Sequence, residues 1–476
     1  MRRIVVISLL AITLIGAGCG SENTERTGPG DGTGPAPTAP GTTGGSTATK
    51  FGSIDSPCGP APEGKTVTIR ADEAGRGTDK LYIGVGNDRT AEAQPGLNKE
   101  MWDASVAFTK WCNDQGGVAG IAIEPVDIDG QLIRAEAAMT TACSDTFALA
   151  GGGLVFDTQL FSGKDSSDFH KCRLIAVPGF AVSTDFAEAN GVVQPIPNPA
   201  YTRSAIFLHD VAELYPDKVG KSVSVYGEGV ISIKINRDQV EATAKAAVPE
   251  MRFLDPISYK LIGQDFSVIA QKVIDSGATA MTFIGEPIYL SSLLSELKGK
   301  GWDGITFVET NHYDKKLFVK GDDVADGVLI RTSYHMFEEG EEYPAIQQMV
   351  DIINTDGPPD PTIAALSIQS WSSNLLFAQS VKQCVEEGSG EISRVCVLKA
   401  AKSVEDWSGG GLHAPAHPKD NLPSGCSMIV TADGGLFKRR FPKDSTKDDG
   451  YHCDPDLTVK ITGDLGKGVV DSSLPY

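Results

Sequence analysis

Residues 81–129 read as a strand, a loop, a helix and a second strand with their turn signals in place. Leu81-Tyr82-Ile83-Gly84-Val85 is an apolar run of strand length. After a polar loop over 87–96, apolar residues recur at Leu97, Met101, Ala104, Phe108 and Trp111, a spacing of three and four that lays one stripe along a helix. The helix stops at Asn113-Asp114-Gln115-Gly116-Gly117, where two glycines can adopt the left-handed conformation that ends helices. The next strand runs from 121 to 127. Strand, helix and strand in this order form the parallel βαβ unit, which needs helices against the sheet to bury it.

The alternation continues and predicts an α/β fold. A helix over 133–143, a strand at 146–150, a helix across 157–170 and a strand at 174–177 follow. Pro195, Pro197 and Pro199 then place three prolines in five residues, which forbids a helix and marks a crossing between lobes. The rhythm restarts with a helix at 201–214 and a strand at 222–226, then a helix at 233–246 and a strand at 252–257. A helix at 266–275, a strand at 280–284, a helix at 288–300 and a strand at 305–308 complete the second of two consecutive doubly wound, Rossmann-like units. Beyond it come a strand at 327–332, helices at 343–353, 362–385 and 392–402, and a hairpin of 428–431 with 436–441 turning at Asp433-Gly434-Gly435. A short strand at 66–70 precedes the first unit.

At 476 residues the chain is too long for one core and suits two or three lobes of ~150 residues. Acidic residues outnumber basic ones, 62 to 42, and the net charge of -20 argues against a nucleic-acid partner and against adhesion to an anionic membrane surface.

The first residues carry an export pattern: Arg2-Arg3, an apolar run over 4–15, then small residues leading to Cys19. The run is shorter than the ~20 apolar residues of a membrane span. Leu14-Ile15-Gly16-Ala17-Gly18-Cys19 resembles the bacterial lipoprotein signal, in which the cysteine becomes the lipidated first residue; an ordinary cleaved signal is the alternative. Residues 20–50 contain no Val, Ile, Leu, Met, Phe, Trp or Tyr. A segment over 20–63 is therefore expected to be a Gly/Thr/Pro-rich tether, of which the roughly thirty residues 20–50 reach about 30 Å as a flexible coil. Lipid and tether together imply an extracytoplasmic protein held to the bacterial cell membrane by its N-terminus alone.

Apart from Cys19, eight cysteines remain, and in an oxidising compartment an even number implies four disulfides. Sequence leaves about 105 connectivities open. Pairing chain neighbours gives Cys143 with Cys172, Cys384 with Cys396, and Cys426 with Cys453, which leaves Cys58 with Cys112 by elimination. No CxxC occurs, so neither a zinc ribbon nor a thioredoxin-like site is indicated, and no cofactor is called for.

Signals for catalysis are weak. Gly84-Val85-Gly86 and Gly227-Glu228-Gly229 begin like dinucleotide fingerprints, but Arg89 and Ser232 occupy the third glycine position. Gly220-Lys221-Ser222 is followed by its strand, whereas a phosphate loop follows one, and Tyr215 replaces the first glycine. No GxSxG elbow is present. His413 and His417 are four apart, but Pro415 between them removes the helical geometry that would align them on a metal. Glu338-Glu339 and Glu341-Glu342 read as a solvated charge run. The chain is expected not to be an enzyme.

The start 81–86, the helix ending in Asn113-Asp114-Gln115-Gly116-Gly117-Val118-Ala119-Gly120 and the strand ending in Asp127-Ile128-Asp129 resemble the opening of type 1 periplasmic binding proteins. The leucine, isoleucine and valine-binding family that feeds ABC importers is the nearest group. Val225-Tyr226-Gly227-Glu228-Gly229 is similar to the start of that family's second lobe, and Phe283-Ile284-Gly285-Glu286-Pro287 and Thr310-Asn311-His312-Tyr313-Asp314 fall where it has later ligand-facing loops. The resemblance implies two lobes joined by three crossings, near 194–199, 311–326 and 406–425. Lobe 1 would comprise 64–195 plus 326–405, and lobe 2 would comprise 196–325 plus 406–476. It also implies a lipid-anchored binding component that closes on a small solute, such as a branched-chain amino acid or a related amide or acid, and hands it to ABC permease subunits. A lipoprotein of the same fold that senses ligand for a membrane partner is the alternative.

By that resemblance the first-lobe ligand loops are 151–158 and 178–184. The backbone of Gly153 and Phe180, the ring of Phe156, and the hydroxyls of Thr158 and Ser183 are the candidates there. Helix N-termini at the carboxyl ends of parallel strands favour a carboxylate. The bland reading stands beside it: the glycines are tight turns, and Ser183 or Thr184 caps a helix. Glu286 would accept a ligand ammonium. Tyr226, Tyr313, Tyr289 and Trp371 would wall the pocket, or pack in the core.

Overall fold

The computed structural model describes residues 50–158 and 168–474. Cys19 and most of the tether fall outside the described residues, as does the middle of the expected helix across 157–170, of which Asp168–Lys171 is seen.

The first sheet has four parallel strands: β1 (Leu81–Asn87), β2 (Ile123–Asp129), β3 (Ala148–Ala150) and β4 (Ala176–Val177), in the spatial order β2-β1-β3-β4. All seven residues of β1 are buried, as a central strand covered on both faces requires. Helix α1 (Lys99–Asp114) connects β1 to β2, and its stripe of Met101, Ala104, Phe108 and Trp111 is buried. It ends as expected: the Gly117 N–H donates to the Cys112 carbonyl at 3.0 Å, and Gly116 and Gly117 have φ of 105° and 77°. Helix α2 (Ala135–Asp145) covers the other face.

The second sheet has eight strands. A parallel set, β5 (Ser222–Gly227), β6 (Ile257–Tyr259), β7 (Ala280–Ile284), β8 (Ile305–Val308) and β9 (Leu329–Thr332), runs in the order β6-β5-β7-β8-β9. The antiparallel hairpin β10 (Cys426–Asp433) and β11 (Leu436–Phe441) joins beyond β9, and His452–Cys453 pairs with β10. Helices α3 (Ile206–Leu214), α4 (Ile231–Ala247), α5 (Phe266–Asp275) and α6 (Pro287–Gly299) flank this sheet. Helices α7 (Pro344–Asp356), α8 (Ala365–Glu387) and α9 (Arg394–Ala401) return to the first sheet, with α7 and α8 packing on α1. Four disulfides join Cys58 to Cys112, Cys143 to Cys172, Cys384 to Cys396 and Cys426 to Cys453.

Four expectations change. The tether does not extend to residue 63: Phe51 is fully buried against Trp111 and Trp371, with ring centroids 5.9 and 5.5 Å away, and Cys58 is bonded into α1. The expected helix over 201–214 begins late, because Thr202–Ser204 is a strand paired with Thr458–Lys460. The second crossing is not at 311–326. The apolar run of β9 is more stable as a parallel partner of β8, so the chain leaves the larger sheet only after Thr332. The segment after Lys460 does not stay with the larger sheet. Its Val469 N–H donates to Asp185 O at 3.0 Å and its Asp471 N–H donates to Asn190 Oδ1 at 2.9 Å, which straps the tail to the end of the first sheet's lobe.

Candidate functional site

In each sheet the first two parallel strands sit side by side and the third adds on the other side of the first, so the connecting helices diverge to opposite faces between β1 and β3 and between β5 and β7. Crevices form at such switch points, at the carboxyl ends of the strands. The loops following β1, β3, β4, β7, β8 and β9 line one cavity of about 260 Å³, together with residues of the segments 194–198 and 423–424. A single water needs ~10–15 Å³, so the space admits a small organic molecule.

Lobe 1 contributes Asn98, Val155 and Phe180. The three glycines of the loop after β3 are there for close packing. Gly151 has a φ of 76°, and a Cβ on Gly152 would lie 2.1 Å from the Gly86 nitrogen. The Gly153 N–H donates to the Gly86 carbonyl at 2.9 Å, so strand β1 takes up this donor. Phe156 packs into the apolar cluster of lobe 1, and neither it nor the half-buried Thr158 lines the cavity. Ser183 is a helix cap: its Oγ accepts from the Phe186 N–H at 3.3 Å and donates to the Asp157 carbonyl at 2.8 Å. Asp157 in turn accepts from the N–H groups of Val182 and Ser183 at 2.7 and 2.8 Å. Burial still raises its pKa to about 7, against these hydrogen bonds. The Thr184 hydroxyl donates to the Leu465 carbonyl. Of the lobe 1 residues expected to meet a ligand, Phe180 alone reaches the cavity.

Glu286 lines the cavity from lobe 2 as the residue before α6. Burial raises its pKa to about 7, opposed by the Lys316 ammonium, with the Gln94 side chain beside it. Tyr226 instead lies under the Arg237 guanidinium, 4.6 Å from its ring centroid. Tyr313 is core: it stacks on Phe337, accepts from the Phe337 N–H at 2.8 Å and donates to Glu338. Tyr289 donates to Leu261 O at 2.9 Å outside the cavity, and Trp371 is fully buried among Phe51, Phe108 and Trp111. His413 and His417 do not converge. The first sits between Ser372 Oγ and Ala414 O, each at 2.8 Å, and the second beside Glu405 O at 2.9 Å.

Contacts also cross the cleft. Lys316 Nζ donates to Gly96 O and Ser232 Oγ to Val155 O, each at 3.3 Å. Behind Gly96, Glu100 on α1 is buried, and burial raises its pKa to about 7 despite Lys316.

Three charged residues not anticipated from the sequence line the same cavity: Arg203, Glu309 and Arg331. Arg331 Nε donates to Glu309 Oε2 at 2.6 Å. Arg203 donates through Nη1 to Asn198 Oδ1 at 2.5 Å and to Pro199 O at 3.2 Å. Burial lowers the Arg203 pKa to about 10, with Glu309 opposing and Arg331 reinforcing the shift. One signal was present in Val328-Leu329-Ile330-Arg331-Thr332, where a charge interrupts a buried strand at its carboxyl end. Arg203 gave none, because it follows the prolines at what looked like the start of a helix.

Compared with known proteins, residues 209–436 match the family model described as "Periplasmic binding protein". A search of curated proteins finds no match. Among solved structures, the fold is similar to a fatty acid ABC transporter substrate-binding protein from Thermomonospora curvata, at 14% identity over 85% of this chain and 97% of that one, with a TM-score of 0.64. It is similar to a leucine binding protein from Thermotoga maritima, at 12% identity over 76% and 97%, TM-score 0.58. It is also similar to a branched-chain amino acid transporter substrate binding protein from Streptococcus pneumoniae in complex with isoleucine, at 13% identity over 75% and 98%, TM-score 0.56. Two switch-point sheets facing one cavity and the shared architecture agree: the chain has the fold of the type 1 periplasmic binding proteins, and its residues 209–436 match a periplasmic binding protein family model.

Proposed function

We propose that this chain is the solute-binding component of an ABC importer, held outside the cytoplasm by a lipid on Cys19, and that it binds a small amphipathic solute such as a branched-chain amino acid or a related acid or amide. The observation that carries the reading is the single cavity lined from the strand ends of both sheets and from the crossings between them. Such a site is reached by opening two lobes and buried by closing them. Structural neighbours named for fatty acids, leucine and isoleucine support the solute class. Among the described residues no helix is long and apolar enough to cross a membrane.

A thermal-shift screen of the full chain against amino acids, amides, carboxylates and sugars tests it. A ligand at a hundred times its dissociation constant adds ~2.7 kcal/mol to stability, a resolvable rise in melting temperature. No shift from any class would overturn the binding reading. Deleting the gene separates the importer from a sensor, since the importer predicts lost uptake of the hit and the sensor a lost transcriptional response with uptake intact. Fatty-acid labelling that persists in Cys19→Ala would exclude the anchor.

A further inference from the structure

The two arginines and two glutamates that line the cavity are unevenly placed, with both arginines grouped around one of the glutamates. Arg203 and Arg331 both line it, and Glu309 is the carboxylate beside them. Glu309 is already engaged by Arg331 at 2.6 Å. Among the described residues no carboxylate forms an ion pair with Arg203; its partners are the neutral Asn198 side chain and the Pro199 carbonyl, both reached through Nη1. Nε and Nη2 of Arg203, and both terminal nitrogens of Arg331, have no hydrogen-bond partner among the described residues. In this cluster, two guanidiniums against one carboxylate leave a local surplus of one positive charge. Such a charge is costly unless an anion meets it.

Next to these arginines the wall is hydrocarbon. Phe207 and Leu208 on α3, Ile233 and Val240 on α4, and Ile196 on the first crossing line the same cavity. The other carboxylate of the cavity, Glu286, belongs to a separate group, where it shares Lys316 with Asp314 and Glu100. The ammonium of an α-amino acid stands one carbon from its carboxylate, so with the carboxylate on these arginines it would add to their local surplus rather than relieve it.

We propose that the cleft takes a monocarboxylate with an aliphatic body and no ammonium group, its carboxylate on Arg203 and Arg331 and its hydrocarbon against Phe207, Leu208, Ile233 and Val240. The inference rests on the solute-binding reading above and selects the acid among the solutes it allows. One surplus charge matches one carboxylate, and a guanidinium fork offers two parallel donors to it.

Calorimetric titration of the full chain with octanoate, octylamine, octanamide and leucine tests it. Octanoate should bind, with octylamine and octanamide each weaker by about 30-fold or more, the factor expected when a buried charge loses its partner. Arg203→Gln should weaken octanoate by a similar factor, and Arg203→Lys, which keeps the charge, by less. If Arg203→Gln fails to fold, the order of octanoate, octanamide and octylamine on the unaltered chain decides the matter. Leucine binding more tightly than octanoate, or octanoate affinity unchanged in folded Arg203→Gln and Arg331→Gln, would overturn the proposal and leave the solute-binding reading standing. Silence toward these four ligands with a hit elsewhere in the wider library would do the same. Silence toward every solute would instead remove the reading on which the proposal rests.

Discussion

Glu100 and Arg394 show how much a single buried charge can decide. Glu100 faces Lys316, Asp314 and Glu286, and burial is the largest influence on it, raising its pKa from 4.5 to about 7. A carboxyl raised in the folded state adds no cost below its unfolded pKa, where it is protonated in both states, and destabilises increasingly as pH climbs through the folded value. Glu100→Gln should therefore gain on the unaltered protein by ~2–3 kcal/mol in unfolding free energy between pH 4 and pH 8. Urea unfolding at the two pH values measures this, and a difference flat with pH would show that Glu100 titrates normally. Arg394 is also buried, but its guanidinium donates to the carbonyls of Phe147, Cys172, Thr146 and Glu73 at 2.6 to 3.1 Å. Removing it orphans several buried acceptors, and Arg394→Ala should cost ~3 kcal/mol or more by chemical denaturation. A loss under 1 kcal/mol would mean that water replaces it.

At the scale of elements, the segment beyond Lys460 ties together parts that the sheets leave separate. Leu465 is 1% exposed, the Thr184 hydroxyl reaches its carbonyl, and Tyr201 donates to Gly466 O at 2.7 Å. The short helix Thr184–Ala187 beside the cavity wall is thereby held from outside. Burial of one leucine and a few hydrogen bonds amount to ~3 kcal/mol. Deleting 463–476 should lower the melting temperature by several degrees and hasten proteolysis within 178–200, and unchanged digestion would show that the strap adds nothing to that loop. The regular elements were legible because their signals are local. Helix α5 and strands β7 and β8 fall where periodicity places them. Strand Thr202–Ser204 was not legible, because its partner lies more than 250 residues later, at Thr458–Lys460.

For the whole molecule, the four disulfides divide by the length of chain they close. Cys58–Cys112 spans 54 residues and Cys384–Cys396 spans 12. The entropy of loop closure makes the first worth about 4 kcal/mol and the second about 3 kcal/mol. The first also fixes the arm that carries Phe51 into the core. Replacing Cys58 and Cys112 together by serine should lower the urea midpoint more than replacing Cys384 and Cys396 together, and the reverse order would show that native packing rather than chain entropy governs these bonds.

The sequence by itself determined the α/β alternation, the parallel sheets and the absence of a helix at 195–199, because helix and strand periods and proline geometry act within a few residues of chain. It did not determine which side chains meet across the cleft. Ser183, Tyr313 and Trp371 carry the residue types of a ligand site, yet one is a cap and two are core, since burial depends on neighbours far away in the chain. Arg203, Glu309 and Arg331 come from three separate elements and form a cluster only once the larger sheet and the first crossing are assembled. Tertiary structure decided that grouping because electrostatic pairing depends on distance in space, which the order of residues does not fix.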